Sequence, residues 1–155
     1  MSSRTDFKKL QTKLGLPKLD ELESTFGFVL EEETQTPLQD VKKAIVDTFT
    51  AMQEVLEPIL FLSEGSSPSH VFEAHALNDK RNAYAELYRK NHELRWRSLE
   101  AFFEPTDENV AKFIKECYAA WTKEFKPRML ELTKLMEKNW KEYSEEEEGT
   151  QRYLG

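Results

Sequence analysis

Apolar residues recur at three- and four-residue steps across residues 37–62: Val41, Ala44, Ile45, Thr48, Met52, Val55, Leu56, Ile59 and Leu62. Lys43, Asp47, Thr50, Glu54 and Glu57 take the opposite side. The pattern predicts an amphipathic helix whose apolar face is too wide for a two-stranded seam and needs at least two neighbouring helices. Thr36, Pro37 and Gln39 predict its start, as a Thr-x-x-Gln capping box with proline in the first turn.

The same steps organise the rest of the chain. Phe7, Leu10 and Leu14 predict a short helix over residues 6–14 that Gly15 ends, and Leu19, Leu22 and Phe26 a second, opened by Pro17 and stopped by Gly27. Residues 28–36 read as a packed connection, because no second strand candidate exists to pair with Phe28–Leu30. After the loop SEGSSPS, Ser67 and Pro68 restart the helix, and residues 69–104 contain no obvious breaker. About 35 residues of helix would run about 50 Å. Thr106 is expected to cap a last helix reaching Tyr143, with Val110, Phe113, Ile114, Cys117, Trp121, Phe125, Met129, Leu132 and Met136 in its apolar sector. Pro58 and Pro127 fall inside helices and are expected to bend them rather than end them, since the apolar period continues on both sides. Val41, Met52, Leu87, Phe125 and Leu132 are the predicted core markers.

The expected fold is therefore all-α: an elongated antiparallel bundle of three long helices with two short N-terminal helices packed against it. One domain spans residues 1–155, with 1–35 as short helices and connection and 145–155 as a frayed acidic tail. A formal net charge of -7 argues against a whole-surface nucleic-acid binder. The single Cys117 cannot form an internal bridge, the first residues lack a signal-like apolar run, and no stretch approaches a membrane span. A cytoplasmic protein with no membrane association is the expectation.

Motifs of known chemistry are missing. The HELRW stretch begins like a zinc-hydrolase helix, but Trp96 stands where the second histidine is required. His75, Asp79, Asn82 and Glu86 follow at helical steps, yet no inward Glu-x-x-His pairs accompany them, so they read as a solvated face. Cys117 sits on an apolar face without a neighbouring base and reads as a small hydrophobe. No catalytic residue, metal or cofactor is assigned, and the chain is read as a non-enzyme.

Two anomalies remain. Polar residues interrupt apolar sectors, namely Asn91 on the middle helix and Arg128 and Asn139 on the last, and are read as structural polar groups in the core. Phe61 and Trp96 stand on otherwise polar sides, and Arg89, Arg95 and Arg97 cluster around Trp96. Aromatics beside arginines are over-represented at interface centres, so these five residues form the expected partner-binding set. The functional expectation is an interaction or scaffold protein whose partner is another protein chain, a homodimer being the simplest version. A nucleic-acid binder using residues 81–97, or a bundle holding a small molecule between its helices, are the alternatives.

Overall fold

The computed structural model describes residues 2–144, so the acidic tail expected to fray at 145–155 lies outside the described residues. Those residues form only helices and their connections: α1 (Ser3–Leu14), α2 (Leu19–Phe26), α3 (Pro37–Leu60), α4 (Pro68–Leu77), α5 (Arg81–Phe103), α6 (Asp107–Ala120) and α7 (Lys126–Lys141). A 3-10 turn, Asn78–Lys80, joins α4 to α5, and a π-helical turn, Trp121–Phe125, joins α6 to α7. Three rods result, running up, down and up: α3, then α4–α5, then α6–α7. Contacts between Leu60 and Arg81, Phe49 and Asn91, and Lys42 and Phe102 run α3 and α5 antiparallel.

The inward face of α3 is turned relative to its sequence pattern. Val41, Ile45, Leu56 and Ile59 are buried as expected, but Val55 and Leu62 are exposed and Met52 is only half-buried, while Phe49 and Lys42 go inside. Phe49 causes the turn. Its ring meets Trp121 at 5.6 Å and Phe125 at 4.9 Å, both edge-on, and burying a large ring there outweighs covering two aliphatic flank residues. Pro37 opens α3 as expected, but Thr36 makes no capping bond. With ψ at 61° its hydroxyl points away from the amides and donates to Asp40 at 3.4 Å, so the box with Gln39 does not form.

The helix expected to run unbroken through residues 69–104 is interrupted at Asn78, whose φ of 50° and ψ of -123° leave helical space. Asparagine is one of the few side-chain-bearing residues that enters positive φ, and nothing in local composition marks it as a breaker. Ser67 and Thr106 cap α4 and α6 through their hydroxyls, accepting from the amides of His70 and Asn109.

The last helix also departs from regularity. Cys117, Trp121, Phe125 and Met129 follow one another at four-residue steps, and three such steps in an α-helix would walk about 120° around the axis. The π turn absorbs this drift: the Lys126 amide reaches back to the Trp121 carbonyl, and Trp121 and Phe125 both stay buried. Pro127 follows immediately, where its missing N–H orphans a carbonyl on a turn whose Thr122 and Lys123 face water.

The N-terminal helices cover the groove between α3 and α6. Ser2 caps α1, which starts three residues earlier than the apolar pattern suggests, and Lys18 rather than Pro17 borders α2. Gly15 and Gly27 end them at φ of 68° and 65°. Ser3 is buried; its hydroxyl donates to the Glu32 and Thr34 carbonyls and accepts from the Thr34 amide at 2.7 Å. Glu23 takes both prongs of Arg4 and the Leu30 amide, and the arginine holds its carboxyl below the usual range. Phe26 against Trp121, and Lys115 donating to the Leu14 carbonyl, close the lid on α6.

Asn78 generates a stability prediction. Glycine carries no strain at its backbone angles, so Asn78→Gly should raise the melting temperature by about 2–4 °C, the equivalent of about 1 kcal/mol. Asn78→Val, which cannot enter that region cheaply, should lower it by at least as much. Differential scanning calorimetry of the two variants reads both signs.

Candidate interaction surface

Arg89, Arg95, Trp96 and Arg97 lie within two turns of α5, yet the structure gives them different roles. Arg97 donates to Glu116 across to α6 at 2.6 Å and to Glu93 at 3.0 Å. Arg89 is held by Glu86 and Glu93 at 3.1 and 3.2 Å. Both guanidiniums are therefore satisfied within the protein, which removes them from the set free to meet phosphates or a partner's acids. Arg95 is exposed and forms no ion pair among the described residues. Trp96 beside it is 69% exposed.

About two helical turns on, Phe102 and Phe103 are 66% and 76% exposed and touch each other edge-on at 5.5 Å. Trp96 and Phe103 are seven residues apart and share a stripe with half-buried Leu99 between them. By spacing alone, Phe102 and Phe103 fit the apolar sector of α5. They flank the buried face of α5 rather than join it: Leu87, Asn91, Leu94, Ser98 and Ala101 carry the seam, and Phe102 and Phe103 fall on the turn's outer side.

Phe61 is 54% exposed and lies apart from this stripe, at the far end of α3. Its ring packs on Tyr88 at 5.0 Å, and Tyr88 in turn on His92 at 4.6 Å. Phe61 and Trp96 are thus both open to solvent and neither lies beneath the N-terminal helices.

Between these aromatics runs a groove with α3 on one wall and α5 on the other. Its floor is Val46, Phe49 and Leu94, with Phe113 behind, and its rim carries exposed Thr50 and Arg95. The space is about 290 Å³, open to solvent. Its lining, drawn from residues 46–53 of α3 and 91–98 of α5 with Phe113, holds no carboxylate among the described residues, but Gln53 donates to Glu57 at 3.3 Å, and Glu57 lies against Tyr88 just beyond it. One turn before Val46 on α3, outside this lining, Lys42 is only 8% exposed, holds its ammonium 5.9 Å from the Phe102 ring centre and has no ion-pair partner among the described residues. Burial pushes its pKa down.

The three polar residues assigned to the core separate. Asn91 belongs there: it is 2% exposed and its amide donates to the Phe49 carbonyl on α3 at 2.8 Å, fixing the register of the two helices. Arg128 does not. It is exposed, because the π turn rotates it out of the sector, and it is its backbone carbonyl that works inside, accepting from the buried Tyr84 hydroxyl at 2.9 Å. Asn139 is half-buried and bonds the Leu135 carbonyl on its own helix, so it sets no register between helices.

Other candidate chemistry finds no assembled site. Cys117 is buried against the core and burial pushes its thiol up, leaving it protonated. His75, Asp79, Asn82 and Glu86 are all exposed, and the break at Asn78 divides their stripe. Among the described residues no group of His, Cys, Asp or Glu converges as for a metal ion, and no helix is long and apolar enough to cross a membrane. Comparison of the chain with protein-family models, curated proteins and solved structures yields no match.

Asn91 is the polar residue whose loss should be felt most. Asn91→Ala leaves a small void and removes the α3–α5 bond, and should cost about 2–3 kcal/mol in urea unfolding. Arg128→Ala, by contrast, should change stability by less than about 0.5 kcal/mol.

Proposed function

We propose that this chain is a non-enzymatic interaction protein that presents a helical surface to another protein chain. The observation that carries the reading is the stripe of Trp96 and Phe103 on α5 with Phe102 edge-on against Phe103, three large aromatics each left mostly in water. Single exposed apolar residues are ordinary, but three within the last two turns of one helix are the kind of apolar surface that marks interfaces. The bundle core is complete without them. Arg95 at the edge supplies a free cation, and its methylenes extend the apolar area.

A second copy of the chain is the simplest partner, since pairing of one surface about a two-fold axis is the commonest way chains associate. The work is assigned to the cytoplasm, where a protein with one unpaired thiol needs no bridge. Nucleic acid is disfavoured as a partner by the pairing of Arg89 and Arg97 with carboxylates and by the net charge of -7.

Sedimentation velocity over a wide concentration range tests the self-pairing version. The sedimentation coefficient should rise with concentration, and Trp96→Ala should weaken association about thirtyfold, as for a central aromatic anchor, while Phe61→Ala has a smaller effect. A chain monomeric at every concentration would eliminate the homodimer.

A further inference from the structure

We propose that the outward face of α5 is a self-pairing surface on which a second copy of the chain lies antiparallel, related by a two-fold axis that crosses α5 near Arg95. This rests on the reading of the chain as an interaction protein whose partner is its own copy, and specifies the face, the orientation and the ion pairs between the copies.

Beside its buried seam, α5 carries a second one. Ala85, Tyr88, His92, Trp96, Leu99 and Phe103 follow at steps of three and four, the spacing with which one long helix meets another. Ala85, Tyr88, His92 and Leu99 are half-buried, and Trp96 and Phe103 are exposed. The line runs about 27 Å, or about five turns. The lid helices pack over α3 and α6 instead.

Charge selects the occupant. On α3, the flank beside this seam changes sign from end to end: Lys42 and Lys43 stand at the Phe102 end, uncharged Val46, Thr50 and Gln53 follow, and Glu57 lies against Tyr88. Asp47, at the middle level, faces the outer side. From Lys42 to Glu57 α3 runs about 22 Å, and from Tyr88 to Phe102 α5 runs about 21 Å, so the opposite charges bracket the seam. Neither Lys42, Lys43 nor Glu57 has an ion-pair partner among the described residues. A flank that is basic at one end and acidic at the other complements itself when reversed. Rotation about an axis across the helices sets Lys42 and Lys43 of one copy opposite Glu57 of the other, and does so twice. The opposite rim agrees. Arg89 and Glu100 are both exposed on the side of α5 away from α3, about three turns apart and nearly equidistant from Arg95, so the same rotation sets them opposite each other. Arg95 is the exception: near the axis it meets its own copy, and it opposes the pairing. A partner of acidic character would instead depend on it.

Sedimentation velocity of charge variants tests the arrangement. Glu57→Lys and Lys43→Glu, both at exposed positions, should each weaken self-association about tenfold, because the two-fold axis counts each change twice. Mixed in equal amounts, the two variants should pair with each other at least about fivefold more tightly than either pairs with itself, since the mixed pair holds one original contact and one reversed contact. Fluorescence-detected sedimentation with only the Glu57→Lys chain labelled reads that difference. Arg95→Ala should associate as tightly as the unaltered chain or more so. Circular dichroism confirms that all three variants stay folded. Charge variants that associate like the unaltered chain, weakening that does not recover on mixing, or loss of association in Arg95→Ala each overturns the inference. If Trp96→Ala still weakens pairing in those cases, the α5 stripe stands as the interaction surface and the antiparallel arrangement alone fails. A chain monomeric at every concentration overturns this inference together with the self-pairing reading.

Discussion

The aromatic junction of Phe49, Trp121 and Phe125, with Phe26 leaning on Trp121 from the lid, is the constraint on which the remaining geometry depends. All three rods and the N-terminal cover meet near it. Rings of this size contribute most of the burial available per residue, and their edge-on contacts tolerate little rotation. To bring Phe49 to that point, α3 must turn so that Val55 and Leu62 face water and Lys42 faces inward. To keep Trp121 and Phe125 both there, four residues apart, the last rod must widen into a π turn. That turn then carries the Arg128 side chain outward and offers its carbonyl to Tyr84. One packing decision thus explains departures on three different helices.

The fold class was legible because periodicity over long segments is a strong signal, and here it persists across every rod. The glycine ends of α1 and α2 and the serine and threonine caps of α4 and α6 were legible for the same reason: each needs one residue type at one position. The rotation of α3 was not, since its helical wheel offered two nearly equal apolar sectors and only the partner's aromatics choose between them. Asn78 was invisible because asparagine is common in helices and its positive φ is imposed by how α4 and α5 pack on different neighbours. The π turn did leave a trace, in the run of four-residue steps from Cys117 to Met129, which a regular α-helix cannot keep on one face.

The surface was half legible. Trp96 stood out because it interrupts a polar side, and it is open to solvent. Phe102 and Phe103 were hidden by lying close to the seam, and only the burial of Ala101 between Ser98 and the helix end shows that the seam passes beside them. The basic cluster was misleading in the opposite way. Sequence proximity grouped Arg89, Arg95 and Arg97, but helical geometry aims Arg89 and Arg97 at carboxylates and leaves Arg95 free. Three like charges close in sequence are one feature only if they share a face.

Arg95 and Lys42 also explain why the α3–α5 groove differs from its neighbours without appeal to composition. The acids of α5 nearest the groove, Glu86 and Glu93, are turned to the outer side and engaged by Arg89 and Arg97, so none is left to line the inner wall. On α3, rotation by the Phe49 anchor brings Val46 and Thr50 to the groove and carries Asp47 to the exposed outer side. The same packing that closes the core therefore leaves the middle of this groove apolar, with Glu57 against Tyr88 beyond one end and the desolvated Lys42 beyond the other.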